Sequence, residues 1–310
     1  MAPRHRKPAR FSPRARRTLV GVVMAAVLAS VTGVALGSVI EGVKDCDRHV
    51  TLHMSAAADI APVLGKHAKQ WSHTADPVDG ACVTVDVTAQ DSASVAMALA
   101  RKYSAAFDIG KAKTTDVRVP DVWVPESMTW LARLGGDLGG HLNPHVGSVA
   151  ESVLGLAVTK KTDGAGESTM LQNAKVDPSD PRADAGALAL LLESNENKTA
   201  QVKYKPGSAT VMSKAAYDLY MAKHPGSKLE FVNTNPSLPP FEYPFITQAK
   251  MDKTLDDAGD AFLSSMLSDE FTNSLGKYGF TKAGPYPQKV DPKAVSKVLD
   301  AWDASSPPTS

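Results

Sequence analysis

Three serines stand where a short strand passes into a helix, and such turns are either candidate walls of a binding cleft or parts of ordinary strand–helix units that bind no ligand. Ser55 follows an apolar strand segment, Ser92 opens a helical segment, and Ser127 precedes a helix whose apolar positions are three and four apart. In open α/β sheets, ligands lie beyond the carboxyl ends of the strands, where helix N-termini present unpaired N–H groups. Hydroxyls and such N–H groups can hold a polyol or an oxyanion by neutral hydrogen bonds. The alternative is that each serine only caps its own helix.

Motifs that indicate catalysis are missing from the sequence. It contains no G-x-S-x-G nucleophile elbow, no H-E-x-x-H pair, no phosphate-binding loop and no cysteine–histidine arrangement. His141 and His145 are four apart, but a proline separates them and no third ligand is near, so solvated loop histidines are favoured over a metal site. Asp177, Asp180 and Asp184 approach a helical segment, where carboxylates are better explained as helix caps than as calcium ligands. We therefore predict a protein that is not an enzyme, with no catalytic residue, metal site or cofactor.

The charge of the chain is divided between a basic N-terminus and an acidic remainder. The 310 residues have a formal net charge of +1. Residues 1–17 contain no acid and seven bases, namely Arg4, Arg6, Lys7, Arg10, Arg14, Arg16 and Arg17. Taking these seven from the 34 basic residues leaves 27 against 33 acidic ones. An acidic body repels polyanions, so we predict no nucleic-acid partner.

The basic N-terminus is followed by a segment long enough to cross a membrane. Thr18–Ile40 has 23 residues without a charge, whereas about 20 apolar residues span a bilayer. The preceding arginines predict a cytoplasmic tail over residues 1–17 and export of the chain after Glu41. A small-x-small site at Ala35 and Gly37 leaves cleavage of a signal segment, and hence secretion, open. An uncleaved anchor is favoured because the apolar run is longer than a usual signal-peptide core. This predicts a single-pass cell-membrane protein with most of its chain outside the cell.

The two cysteines of the chain, Cys46 and Cys82, both lie on the exported side. An oxidising compartment favours a disulfide between them, with two free thiols as the alternative. Such a bridge would be structural, and on the chain-entropy model it would stabilise the protein by about 4 kcal/mol.

Seven segments in a fixed order carry a family resemblance: LHMSAAADIAP, ACVTVDVTAQDSASVA, VPDVWVPESMTWL, SVLGLAVTK, DPSDPRADAG, FEYPF and FLSSMLSDEFTNSLGKYGF. Over residues 46–302 the chain resembles bacterial extracellular solute-binding proteins of the type II periplasmic-binding fold. The likeness is nearest to the molybdate-like branch, and in particular to the solute-binding half of membrane proteins that also carry a von Willebrand factor A domain. The D-x-S-x-S metal motif of that domain is missing, so its metal-dependent adhesion is not expected here.

The resemblance implies an α/β fold of two lobes joined by two crossover strands and preceded by one N-terminal transmembrane helix. Lobe one is expected at residues 46–149 plus 246–302, and lobe two at residues 150–245. A disordered tail is expected at residues 303–310. The crossovers are expected at the segments SVLGLAVTK and FEYPFI.

The same resemblance implies a set of ligand contacts in the cleft between the lobes: Ser55, Ser92, Ser127, Asp184 and Tyr243. Asp184 and Glu126 argue against a simple tetrahedral oxyanion, because an ionised carboxylate repels an anion. Alternatively, each of the two acids caps its own helix and faces solvent.

The function implied by the resemblance is capture of a small polar solute outside the cell. The protein would be membrane-anchored and would serve an ABC-type transporter, with a transporter permease as its partner. The competing hypothesis is a non-catalytic cell-surface module that keeps the fold but binds another protein instead of a solute.

Overall fold

The structure is a computed structural model, and it describes residues 46–138, 140–159, 169–170, 175–176, 179–196, 203–204, 209–284 and 289–305. A large sheet contains β1 (Arg48–Ala56), β2 (Ala81–Ala89), β3 (Val122–Val124), β4 (Leu142–Ser152) and β12 (Phe241–Gln248). A small sheet contains β5 (Leu154–Thr159), β9 (Thr210–Ser213) and β10 (Leu229–Val232). Two short pairs are β6 (Thr169–Met170) with β11 (Thr234–Asn235), and β7 (Lys175–Val176) with β8 (Lys203–Tyr204).

The helices are α1 (Ala61–Thr74), α2 (Ser92–Lys102), α3 (Thr129–Leu138), α4 (Ala185–Glu196), α5 (Lys214–Lys223), α6 (Lys253–Met266), α7 (Asp269–Ser274) and α8 (Pro292–Ser305), with a 3₁₀ turn at Leu275–Tyr278. Within the described ranges, none of these helices is long and apolar enough to cross a membrane. The predicted membrane segment at residues 18–40 and the basic tail before it lie outside the described residues.

The large sheet has the strand order β2–β1–β3–β12–β4. β1 is parallel to β2 and β3, whereas β12 is antiparallel to β3 and β4. The sequence ACVTVDVTA alternates Val with Thr and Asp, which predicts a strand with two different faces. This prediction is confirmed in β2, since Val83 and Val85 are buried while Thr84 and Asp86 are exposed. Because β1, β2 and β3 are parallel, their carboxyl ends lie at one edge of the sheet, and α1, α2 and α3 follow from that edge.

Two strands join the large sheet to the small one. β4 passes into β5, the middle strand of the small sheet, through the exposed Val153. The chain returns from β10 through β11 to β12, which is buried along all eight of its residues. Two sheets linked by two strands agree with the predicted α/β architecture. The predicted lobe boundaries after residues 149 and 245 fall inside β4 and β12, and the division at those residues stays a prediction.

The glycine-rich composition of residues 135–147 predicts a connection without regular structure, and residues 142–147 differ from this prediction. Residues 142–152 form β4, although their composition is typical of a loop. β4 pairs with β12 from end to end, so pairing with a buried neighbour outweighs the low strand propensity of Gly, Pro and Asn. His141 is half-buried, and its ring stacks on Tyr103 with the centroids 4.3 Å apart. His141 therefore lies in a turn as predicted, but its ring is partly covered and not fully solvated.

The main hydrophobic core extends from the large sheet to the small sheet. At its centre the fully buried rings of Tyr243 and Phe280 meet edge to face, with the centroids 5.2 Å apart. A separate and smaller apolar cluster consists of Leu188, Val295 and Val298. It lies beneath α8, which packs against both α3 and α4.

The predicted disulfide is present between Cys46 and Cys82, with their Cα atoms 5.6 Å apart. Cys46 lies just before β1 and Cys82 near the start of β2, so the bond ties the first parallel strand pair at the end opposite to the helix starts. The bond encloses α1, because the two cysteines are 36 residues apart in the chain.

Breaking this disulfide should lower the free energy of unfolding by up to about 4 kcal/mol, because the unfolded chain regains the freedom of a closed loop. Thermal unfolding of the protein with and without reductant measures the loss. The Cys46→Ser/Cys82→Ser double variant should unfold at the lower temperature in both conditions. An equal melting temperature for the oxidised and reduced proteins would contradict the expectation.

Candidate functional site

The carboxyl edge of the large sheet is where the first three helices begin, and backbone hydrogen bonds tie its turns together. Ala57, after β1, donates its N–H to the carbonyl of Val124 at 2.9 Å. Gln90, after β2, donates its N–H to the carbonyl of Ala56, also at 2.9 Å. Pro125 then ends β3, since proline cannot continue a ladder in a sheet interior. The side chains that follow these three strands are therefore held at fixed positions.

Asp59 connects this edge to the small sheet. Its Oδ2 accepts a hydrogen bond from Ser213 Oγ at 2.7 Å and another from the Tyr243 hydroxyl at 2.5 Å. Ser213 is the last residue of β9, and Tyr243 lies on the returning strand β12. The other oxygen of Asp59, Oδ1, accepts a hydrogen bond from the backbone N–H of Ile60 at 3.0 Å. One carboxylate, in the turn after β1, therefore binds a side chain of the small sheet and a side chain of β12, the large-sheet strand on which the chain returns.

Glu126 makes a second junction, between the turns after β2 and β3. Its Oε2 accepts a hydrogen bond from the hydroxyl of Ser92, the first residue of α2. Its Oε1 accepts a hydrogen bond from Nε1 of Trp130, the second residue of α3, at 2.9 Å. Trp130 is buried, which holds the carboxylate at the sheet edge rather than in solvent. We call Asp59, Ser92, Glu126, Ser213 and Tyr243 the polar centre.

Two more acids lie at helix starts beside the polar centre. Asp91 caps α2, accepting from the N–H of Ser94 at 2.9 Å. Asp184 caps α4, accepting from the N–H groups of Gly186 at 2.8 Å and Ala187 at 3.0 Å. Each acid keeps part of its surface accessible to solvent.

Burial controls the protonation of these carboxylates. It raises the pKa of Glu126 from 4.5 to about 7, against the opposing effect of the hydrogen bonds from Ser92 and Trp130, and the negative charge of Asp59 adds to the rise. Burial likewise raises the pKa of Asp59 and, with a contribution from the charge of Asp91, the pKa of Asp184. The pKa of the Tyr243 hydroxyl is also raised, first by burial and then by the charge of Asp59.

The donors to these carboxylates are neutral. In the described part of the chain, Asp59 and Glu126 accept from hydroxyls, an indole and a backbone amide, and from no Lys or Arg side chain. The hydroxyls of Ser92 and Ser213 in turn contact no histidine or lysine among these residues, so neither has the basic partner that activates a serine nucleophile. This arrangement is suited to hydrogen bonding and to attracting positive charge.

The predicted ligand residues occupy different positions. Ser92 and Tyr243 are brought together in the polar centre. Ser127 and Asp184 make the capping bonds that were the alternative for each, with Ser127 Oγ accepting from the N–H of Thr129 at 3.1 Å. Ser55 is buried near the end of β1, opposite Thr88 and Trp123 in the neighbouring strands. A role in ligand contact stays a prediction for all five.

Sequence reasoning did not select Asp59 and Ser213 as candidates. Asp59 precedes Ile60 and the Pro62 that opens α1, a position where an acid is usually explained as a helix cap. Ser213 is the N-cap of α5, accepting from the N–H of Ala216 at 3.0 Å. Asp59 could have been selected from its position, because it lies where a parallel strand passes into a helix, as Ser92 and Ser127 do.

A groove of about 260 Å³ lies away from the polar centre, at the start of α3. Its walls come from α3, α4, residues 239–242 and residues 289–294, and it includes Ser127. Four carboxylates and one lysine line it: Glu193, Glu196, Glu242, Asp291 and Lys289. The groove shares no residue with the polar centre, where side chains from both sheets are already in contact, so the polar centre rather than the groove is our candidate site.

Neither a protein-family model nor a curated protein sequence matches the chain. Solved structures do match its fold. The periplasmic binding protein AfuA from Actinobacillus pleuropneumoniae, with fructose-6-phosphate bound, aligns with a TM-score of 0.54 and 15% identity, covering 83% of this chain and 98% of that one. A periplasmic thiamin binding protein aligns with a TM-score of 0.54 and 12% identity, covering 86% and 98%.

The chain has the mixed α/β fold of periplasmic binding proteins. Iron-bound HitA from Pseudomonas aeruginosa is a further example, with a TM-score of 0.53 and 14% identity over 83% of this chain and 100% of that one. These proteins are binding proteins rather than enzymes, and at such identities the likeness shows the fold alone. The predicted fold class is confirmed to this extent.

Replacing Glu126 by Gln should remove part of the pH dependence of stability. The pKa of Glu126 is about 7 in the folded protein, whereas the ordinary value of 4.5 applies to the unfolded chain. The folded state therefore holds the proton more tightly than the unfolded state. The contribution of the Glu126 carboxyl to the free energy of unfolding therefore falls as the pH rises from 4.5 to about 7. At 1.36 kcal/mol per pKa unit, the fall is at most about 3 kcal/mol.

Urea unfolding at the two ends of this pH window measures the effect. The free energy of unfolding should change less with pH in Glu126→Gln than in the wild type, while the control Glu196→Gln, an exposed acid on α4, should follow the wild type. The same pH dependence in the wild type and in Glu126→Gln would show that the Glu126 carboxyl is not held in the environment described above.

Proposed function

We propose that the protein is a solute-binding protein, which takes up a small polar molecule where its two sheets meet. The observation that carries the proposal is the position of Asp59, which binds Ser213 of the small sheet and Tyr243 of the connecting strand. A solute bound at this point touches both halves of the molecule and favours their closure. The fold shared with periplasmic binding proteins supports binding rather than catalysis.

We propose that the protein lies at the outer side of the cell membrane. The uncharged segment 18–40 would anchor it there, or would be removed as a signal segment to release it. The Cys46–Cys82 disulfide supports an oxidising compartment. The partner we propose is the permease of an ABC-type transporter, which would receive the solute.

The charge of the site limits the solute. Asp59, Glu126 and Asp184 are partly buried acids, and the polar centre offers them neutral donors only, within the described residues. An anion placed here is repelled, whereas an ammonium group supplies the positive charge that the carboxylates lack. We therefore propose a neutral polyol or, more favourably, a solute with a cationic nitrogen. The molybdate-like branch remains a resemblance of sequence segments, and its oxyanion is not the ligand we propose.

A solute that binds the polar centre should raise the melting temperature of the protein. At about a hundred times its Kd the gain is roughly 2.7 kcal/mol, which is several degrees for a protein of this size. We would screen polyamines, amino acids, amino sugars, thiamin, neutral sugars and oxyanions by thermal unfolding. Asp59→Asn should abolish the shift produced by a hit, and Asp76→Asn, an exposed loop acid, should preserve it. A folded protein that no member of the panel stabilises would contradict solute binding and favour the interaction module.

The affinity for a cationic hit should fall as the pH is lowered from about 8 to about 6. Glu126 has a pKa of about 7, so it gains a proton in this range and loses the charge that attracts the cation. Titration calorimetry at both values measures Kd, and the Glu126→Gln variant should bind weakly with little pH dependence. Tighter binding at the lower pH, or an oxyanion as the best ligand, would contradict the proposed charge selection.

A further inference from the structure

One half of the molecule is built on the large sheet and the other on the small sheet. The C-terminal helix α8 lies across these two halves. It packs on α3, which follows the large-sheet strand β3, and on α4, whose other contacts include β9 of the small sheet. A helix in this position is held by both halves at once. Its contacts therefore depend on how the two sheets are placed relative to each other.

The apolar contact of α8 is separate from the main core. Val295 and Val298 are buried against Leu188 of α4, and Ala132 of α3 packs against the same cluster. α4 is apolar on both sides, because Ala185, Ala189 and Leu190 face the main core while Leu188 faces α8. The buried residues of this small cluster are not members of the main core.

An arginine next to α4 ties the end of α8 to the large-sheet half. Arg182 Nη1 lies 3.0 Å from Asp303 Oδ1 of α8 and 3.1 Å from Asp108 Oδ2, in the loop between α2 and β3. Arg133 of α3 donates to the carbonyl of Arg182 at 2.7 Å. Asp108 and Asp303 are both more than half exposed, so these ion pairs position the helix more than they stabilise it.

We propose that α8 is a strap that holds the small-sheet half against the large-sheet half in the absence of solute, and that it must detach for the cleft at the polar centre to open. The apolar cluster supplies the attachment, and the Arg182 ion pairs set where the helix ends. The conformational part of this proposal is independent of which solute, if any, the protein binds.

Detaching α8 should let the two halves move apart. Val295→Asp/Val298→Asp places two charges in the small cluster, and Ser296→Asp/Lys297→Asp, at exposed positions of the same helix, is the matched control. Spin labels on Lys69→Cys of α1 and Ala222→Cys of α5 report the distance between the halves, and the two native cysteines are already bonded to each other. Without solute, the full-length valine variant should show a longer and broader distance distribution than the wild type and the control.

Two further measurements keep the outcome decisive. Trypsin cleavage at Lys293, in the wild type and the valine variant, reports whether α8 has detached, and the melting temperature reports whether the main core is intact. A detached helix with an unchanged distance distribution would overturn the proposal. So would a helix that stays protected in the valine variant, or a variant that loses the main core together with α8. Because no solute is used, a failure here is distinguishable from a failure of the proposed function.

Discussion

A carboxylate taken out of water must find hydrogen-bond donors, and the way Asp59 meets this requirement determines how the molecule is put together. Its own turn supplies one backbone N–H, and the remaining donors come from Ser213 on the small sheet and Tyr243 on the connecting strand. Removing either hydroxyl would leave a buried acceptor short of a partner, which costs more than the bond itself contributes. The spacing of the two sheets is therefore tied to the satisfaction of one side chain.

The acids around Asp59 leave this part of the molecule with negative charge that no cationic side chain among the described residues offsets. Hydrogen bonds from Ser92 and Trp130 are enough to keep Glu126 in place, yet they do not offset the cost of its burial, so its pKa remains near 7. A paired arginine would have lowered that pKa and neutralised the site permanently. Neutral donors leave the charge uncompensated and available to an incoming group. Periplasmic binding proteins with the same fold take ligands as different as fructose-6-phosphate, thiamin and iron. Selection among ligands must then come from side chains such as these rather than from the scaffold.

Much of the large sheet could be predicted from local pattern, and much of the site could not. β2 alternates buried and exposed residues along Val83–Asp86, and Ser92 opens α2, so both agree with what the local sequence predicts. β4 was not predicted as a strand, because its residues favour a loop and because it pairs with β12, about a hundred positions away in the chain. Asp59 and Ser213 are 154 residues apart, and each has an ordinary local role. Local pattern shows that such residues begin helices, but only the assembled fold shows that they meet.

The two connections between the halves differ in a way that bears on how the molecule can open. The contact at Asp59 is partly buried and polar, and a solute can replace it donor by donor, since hydroxyls and ammonium groups offer the same bonds as Ser213 and Tyr243. The contact beneath α8 is apolar and remote, and nothing in the polar centre can substitute for Val295 or Val298. Helix α3 lies between these two contacts and carries Trp130 and Arg133. Trp130 donates a hydrogen bond to Glu126. Arg133 donates to the carbonyl of Arg182, and its Cζ lies 5.0 Å from the centroid of the Trp130 ring. If a solute binds as we propose, it would displace the inner contact while the outer contact still resists opening, and this would favour a closed form that exchanges solute slowly.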